Sequence, residues 1–218
     1  MIETVLFDLD GTIVNTNELI ISSFLHVMNK HYPESPITRE QMIPYMGLTL
    51  EHQLHQFTGR EDVAELVTDY RAYNKLHHDA LVQEFPHVHE VMTRLHEKGI
   101  TMGVVTTKIR PSTILALETF DLLKFMKEIV TLNDVEHPKP HPEPVLTAIK
   151  RLGANPEITL MVGDSPADLQ SARAAGVKSA AVAWSLKGPE VLKKYEPDYI
   201  LNDMTDLYGV LGMESEVK

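Results

Sequence analysis

Four short segments carry side chains that can do chemistry together. Asp8 and Asp10 lie in the run Phe7-Asp8-Leu9-Asp10-Gly11-Thr12, directly after the apolar residues Val5-Leu6-Phe7. A buried strand does not end on an acid without compensation, because a desolvated carboxylate needs a partner. Spaced i, i+2, both would share one face if the strand continued. Two such carboxylates repel, so one pKa rises unless a cation intervenes. One can then act as a nucleophile or ligand while the other carries a proton. Asp-Gly is also a common turn pair, so the dipeptide pattern alone does not decide. Asp164 ends the apolar run Thr159-Leu160-Met161-Val162-Gly163, and Asp168 follows four residues later. An acid at Asp168 also suits a helix amino terminus on electrostatic grounds. Carboxylates converging in this way make an all-oxygen site suited to Mg²⁺.

Two further segments supply neutral and positive groups. Thr106 and Thr107 end the run Gly103-Val104-Val105, where a hydroxyl and adjacent N–H groups can hold an anionic oxygen, although threonine also simply favours strands. Lys139 sits in His137-Pro138-Lys139-Pro140-His141-Pro142. Its flanking prolines restrict the backbone, so its charge is held in place, or it is an ordinary loop lysine. Lys108 and Arg110 follow Thr106-Thr107 and can face an anion or simply open a helix. His77-His78 and His87 with His89 lack a third ligand at matching spacing and read as ordinary residues. Trp184 reads as packing against the sheet.

The elements that position these groups alternate. Short apolar runs at 4–9, 101–105, 129–131, 159–163 and 179–184 are separated by helical patterns, which predicts a doubly wound parallel α/β sheet. In such sheets sites form beyond the carboxyl ends of the strands, where Asp8, Thr106 and Asp164 all fall. Residues 16–82 are instead almost wholly helical in pattern. Asn15 with Glu18 has the form of a capping box, Thr38 with Gln41 signals a second start, and 61–79 forms a long amphipathic stretch. The expected division is therefore a core of 1–15 and 83–218 with a helical insertion of 16–82. Hinges are expected near 14–17 and 80–85.

The chain has 218 residues, no cysteine and a formal net charge of −11. The length supports a full core without disulfides, and thiolate metal sites are excluded. The acidic balance argues against nucleic-acid binding. No apolar stretch reaches the roughly 20 residues of a membrane span, and the amino terminus does not have the form of a signal peptide. The expectation is a soluble, cytoplasmic protein with no membrane or nucleic-acid partner. An anionic substrate would then need a cation to reverse the local field.

In order and spacing, Asp8-Leu9-Asp10-Gly11-Thr12, Thr106, Lys139 with Pro140, and Gly163-Asp164 with Asp168 resemble the four motifs of the haloacid dehalogenase superfamily. The resemblance covers nearly the whole chain. It implies a Rossmann-like core, a mobile helical cap of the C1 type at 16–82, and Mg²⁺-dependent phosphohydrolase activity on a small phosphate compound. By that resemblance Asp8 is the nucleophile and Asp10 the general acid and base. Asp8, the Asp10 carbonyl and Asp164 are the metal ligands, and Leu9, Thr106, Thr107 and Lys139 hold the phosphoryl group. Asp168 orients Lys139 or a metal-bound water, and Lys108 is a possible substrate contact. Thr16-Asn17-Glu18-Leu19-Ile20-Ile21, Asp134-Val135-Glu136-His137 and Trp184-Ser185-Leu186-Lys187-Gly188 look like the inorganic pyrophosphatases of that superfamily. The segment Ser165-Pro166-Ala167 departs from that pattern. Phosphoglycolate phosphatases and phosphosugar mutases share most of these motifs. A phosphorylatable receiver module would place its acid pair first and its phosphorylated aspartate on a later strand, unlike the order here.

Overall fold

The computed structural model describes residues 1–213. Its strands are β1 (Thr4–Phe7), β2 (Val14–Asn15), β3 (Gln83–Glu84), β4 (Thr101–Val105), β5 (Glu128–Val130), β6 (Thr159–Gly163), β7 (Lys178–Val182) and β8 (Tyr199–Leu201). Six of them form a parallel sheet in the order β5-β4-β1-β6-β7-β8. β1 is central, and the chain leaves it first towards β4 and later towards β6. The carboxyl ends of β1, β4 and β6 therefore flank the point where the strand order reverses, the crevice in which such sheets bind ligands.

Both faces of the sheet are covered, which is why its strands read as continuous apolar runs. On one face Val5 and Phe7 of β1 pack with Val88, Val91, Met92 and Leu95 of α5 (Val88–Glu97). The buried core residues on this face include none from the earlier helices α1 (Asn17–His31), α2 (Arg39–Met42), α3 (Leu50–Thr58) and α4 (Ala64–Leu81). Also on that face are Ala116 and Leu117 of α6 (Arg110–Thr119). The other face carries Leu6, Val105 and Met161 against Val145 and Ala148 of α7 (Glu143–Leu152) and Ala172 of α8 (Pro166–Ala174). The short helices α9 (Pro189–Lys193) and α10 (Asp206–Val210) follow β7 and β8.

Helices α1 to α4 build a separate core from Ile21, Phe24, Val27, Met42, Leu54, Leu66 and Tyr70. β2 and β3 pair antiparallel at the two ends of this helical insertion. The capping box expected at Thr38 and Gln41 is present. The one expected at Asn15 and Glu18 is not: α1 starts one residue later, after Thr16, whose hydroxyl donates to Asp10, and the Glu18 carboxylate pairs with Arg39. Helix α6 starts one residue earlier than Pro111, with the proline in its first turn, where a missing N–H costs nothing.

Candidate active site

The strand does not continue past Phe7, so Asp8 and Asp10 do not share a face as the i, i+2 spacing suggested. They turn to two different sets of partners. Asp8 is buried and faces Lys139. Lys139 is buried too, and all three of its Nζ protons are placed: on Asp8 Oδ1 at 2.8 Å, Asp168 Oδ1 at 2.6 Å and the Val105 carbonyl at 2.7 Å. Burial alone would lower the Lys139 pKa, but the Asp168 and Asp8 carboxylates outweigh it and push it up. Burial pushes the Asp8 carboxyl well up, against the opposing pull of Lys139.

Asp168 has its second oxygen occupied as well. Oδ2 accepts from the Ser165 N–H at 3.0 Å and the Ser165 hydroxyl at 2.6 Å. Ser165 and Asp168 form a capping box that starts α8, so one carboxylate both opens the helix and holds Lys139. The departure at Ser165-Pro166-Ala167 thus falls on a helix cap, not on a charged group.

Asp164 is different. It is buried, and its Oδ1 has no hydrogen-bond partner. Burial pushes its carboxyl up to about 7, with Lys187 the largest opposing influence. The main-chain oxygen of Asp164 accepts from the Ser185 hydroxyl at 2.6 Å, which fixes the segment after β6 to the segment after β7. Gly11, at φ +79°, lets the loop after β1 come so close that an added Cβ would lie 2.5 Å from Asp164 Oδ2. One carboxylate oxygen from each of Asp8, Asp164 and Asp168 falls within 4.8 Å of the others. An orphaned buried oxygen among carboxylates fits a hard divalent cation such as Mg²⁺. Asp168 is already committed to Lys139 and Ser165, so the fit rests on Asp8 and Asp164.

Asp10 faces the helical insertion. It accepts from Lys108 Nζ at 2.9 and 3.2 Å and from the Thr16 hydroxyl at 2.6 Å. The Thr106 hydroxyl accepts from the Lys108 N–H at 3.1 Å, which shapes the turn that delivers this lysine. The Leu9 side chain is buried in the core, so only its backbone can meet a ligand, and its carbonyl serves the Thr12, Ile13 and Val14 N–H groups.

A cavity of about 100 Å³ lies between the core and the insertion, bordered by Asp8, Asp10, Thr106, Thr107 and Lys108 below and by Gly47, Gln53, Arg71 and Asn74 above. The turn at 46–48 closes onto the core. Thr107 Oγ1 donates to the Gly47 carbonyl at 3.2 Å, and Lys187 Nζ donates to the Met46 carbonyl at 2.7 Å. Sequence reasoning did not single out Lys187, Gln53, Arg71 or Asn74. Lys187 lay within a quoted run, but nothing in its spacing shows that it reaches a turn 141 positions earlier. Arg71 is held 3.2 Å from Glu51 and keeps part of its surface exposed. Gln53 is buried with its Oε1 unpartnered, while its Nε2 donates to the Leu48 carbonyl.

His78 pairs with neighbouring Asp79, His77 lies against Tyr73, His87 pairs with Asp203 and His89 contacts Phe125. Trp184 packs onto the sheet core beside Phe85.

A six-stranded parallel sheet with acids at the ends of β1 and β6, a buried lysine between them and a helical insertion after β1 defines a class of phosphate-handling hydrolases. The chain belongs to the haloacid dehalogenase-like hydrolase family, whose model matches residues 5–182. It is 49% identical over 214 residues to Pyrophosphatase PpaX of Anoxybacillus flavithermus, covering 98% of this chain and 99% of that one. It is 47% identical over 211 residues to Pyrophosphatase PpaX of Bacillus cereus, with 97% of each covered. Among solved structures, a Bacteroides fragilis protein described as a haloacid dehalogenase-like hydrolase superposes with a TM-score of 0.86 at 30% identity, covering 95% of this chain and 100% of that one. The protein is an enzyme of the phosphatase type. Among the described residues no helix is long and apolar enough to cross a membrane.

Proposed function

We propose that this chain hydrolyses inorganic pyrophosphate to two phosphates, with Asp8 as the nucleophile. The observation that carries the reading is Asp8 itself: a buried carboxylate oriented by a lysine, beside an orphaned Asp164 oxygen and at the edge of a small cavity. The identity to two pyrophosphatases over almost the whole length favours pyrophosphate among phosphate substrates. The cavity, at about 100 Å³, suits a small anion.

Asp8 Oδ attacks phosphorus and displaces the leaving phosphate, forming an aspartyl phosphate on Asp8. Asp10 gives its proton to the leaving oxygen, then takes a proton from the water that attacks the acyl phosphate and restores Asp8. Lys139 stays protonated throughout, since Asp168 and Asp8 hold its pKa up, and it offsets the charge that builds on the phosphoryl oxygens. Asp168 positions that ammonium from the opposite side to Asp8. The Thr106 and Thr107 segment and the backbone around Leu9 border the transferring group. Lys108 holds Asp10 on the cavity side. Asp8, the Asp10 carbonyl and Asp164 would hold Mg²⁺, which when bound neutralises substrate charge and orients the phosphoryl group. Residues 16–82 act as a cap over a core of 1–15 and 83–218, and the turn at 46–48 excludes water when closed.

The test compares Asp8→Asn and Asp10→Asn with the wild type in Mg²⁺. Asp8→Asn loses turnover while circular dichroism stays unchanged. Asp10→Asn accumulates phosphate on Asp8, detectable by mass spectrometry. Wild-type turnover by Asp8→Asn refutes the nucleophile. A higher kcat/KM for phosphoglycolate or a phosphosugar than for pyrophosphate refutes the substrate.

A further inference from the structure

The loop that carries Lys139 has a second cluster of ligands on its solvent side. His137 and His141 flank Lys139 at two residues each, and Glu143 opens α7 immediately beyond. Their ligand atoms lie within 4.8 Å of one another. His137 Nδ1 is 2.9 Å from Glu143 Oε2, and His141 Nδ1 is 4.0 Å from the same oxygen. The centres of the two imidazole rings lie 4.7 Å apart, with the rings tilted by 34°. Pro138, Pro140 and Pro142 alternate with the ligands, so little backbone freedom remains to be lost when an ion arrives.

The geometry points to a binding site for a borderline divalent transition metal, Zn²⁺ or Ni²⁺, formed by His137, His141 and Glu143 and distinct from the carboxylate site at Asp8 and Asp164. Metal–nitrogen and metal–oxygen bonds in such sites are about 2.0–2.2 Å, so two ligands of one ion can stand up to roughly 4.2 Å apart. Both measured separations from Glu143 fall inside that span. Two imidazoles and one carboxylate, with water in the remaining position, suit zinc or nickel and disfavour Mg²⁺, which selects oxygen donors.

The existing hydrogen bonds are compatible with such an ion. Glu143 is already aimed by the Glu136 and His137 N–H groups, which donate to Oε1 and Oε2 at 2.9 and 3.0 Å. Those bonds orient the carboxylate and need not break. The ion replaces the His137 Nδ1 contact with Glu143, the ring proton moving to the exposed Nε2, and it displaces one long bond, Glu143 N–H to His141 Nδ1 at 3.2 Å. All three side chains reach solvent, so entry needs no opening of the fold. Lys139 anchors the inner side of this loop to Asp8 and Asp168, and the ion would clasp its outer side.

The experiment titrates Zn²⁺ into the full chain held in millimolar Mg²⁺, in competition with a chromophoric chelator. It is run for the wild type, His141→Ala, and the double variant His137→Ala/His141→Ala. The wild type is expected to bind one more equivalent than the double variant. It also gains thermal stability on Zn²⁺ addition, which the double variant does not. His141→Ala weakens that equivalent at least about tenfold. Pyrophosphate turnover without Zn²⁺ reports whether each variant is folded. Should the double variant fail to fold, Glu143→Gln replaces it, since the amide removes the ligand charge with little change of shape. Coincident isotherms for wild type and variants overturn the site, as does displacement of the extra equivalent by Mg²⁺.

Discussion

Replacing Gly47 by alanine tests whether the closed turn at 46–48 is the state that turns over substrate. Gly47 has φ +94°, and an added Cβ would lie 2.7 Å from both Cβ and Oγ of Ser165. Ser165 belongs to the core, beside Asp164 and bonded to Asp168. The contact therefore exists only when the turn rests on the core. Relief requires the turn to move by more than half an ångström, which breaks or weakens the bonds from Lys187 to Met46 and from Thr107 to Gly47. A neutral bond contributes about 1 kcal/mol net and one to a charged donor about 1.5–3. Losing most of both disfavours closure by about 2–3 kcal/mol, or roughly 30- to 150-fold in kcat/KM. The positive φ adds strain of about 1 kcal/mol, but open and closed states share it. Gly59→Ala separates the two effects, because Gly59 has φ +67° with nothing within 4 Å of an added Cβ. It should lose stability to urea and keep its kcat/KM. Gly47→Ala should lose both. Wild-type kcat/KM in Gly47→Ala, or an equal loss in Gly59→Ala, refutes closure as the catalytic state.

Arg71→Met should raise the pyrophosphate KM about tenfold with a smaller change in kcat, as expected for a partly exposed cation that meets the outer phosphate rather than the reacting one; initial-rate kinetics read the split. EDTA should abolish turnover and excess Mg²⁺ restore it, because no protein group donates a hydrogen bond to the buried Asp164 Oδ1; activity that persists in EDTA sinks the metal reading. Asp134 supplies a pH signature in stability. Burial would raise its carboxyl, but the Thr131 hydroxyl and N–H, Arg151 and Arg110 hold it down at about 2, against 3.8 for an unperturbed group. A depressed folded pKa stabilises above the unfolded value and is lost as pH falls through the folded one. Asp134→Asn should therefore cost about 1–2 kcal/mol at pH 7, discounted for the partly exposed arginines, and the gap from wild type should close between pH 4 and 2 in urea melts.

Legibility from sequence followed the range of the interaction. Asp8, Thr106 and Asp164 could be placed together because each ends an apolar run, and a parallel sheet puts such ends on one edge. The expected parallel α/β sheet formed for the same reason. Asn15 and Glu18 matched a capping pattern that did not form, since α1 begins one residue later and Glu18 pairs with Arg39, a residue 21 positions away. The condition for a shared face of Asp8 and Asp10 was not met, because after the Asp8 N–H bonds Val162 the chain turns away from the sheet. Lys187, Gln53 and Arg71 were not legible, because their roles depend on how the helical insertion lies against the core, and no spacing encodes that approach. Asp168 sat between these cases. Its position at a helix start was readable, but its grip on Lys139 depends on a loop 29 positions away.

The charges of the site explain how a chain of net charge −11 can attract an anion. Asp8, Asp10, Asp164 and Asp168 face Lys108, Lys139 and Lys187, four carboxylates against three ammonium groups. With every group ionised the set carries −1, so without a metal these groups together offer no net attraction to an anion. Burial makes that state worse, which is why the Asp8 and Asp164 carboxyls are pushed up towards their neutral forms. A divalent cation held by Asp8 and Asp164 would change the sum to +1 and offset the burial of both acids. The lysines do not serve as substitutes for it. Lys139 spends its three protons on Asp8, Asp168 and Val105, and Lys187 holds the Met46 carbonyl. Excess positive charge to receive the substrate would therefore come from a divalent cation held where the Asp164 oxygen lacks a partner.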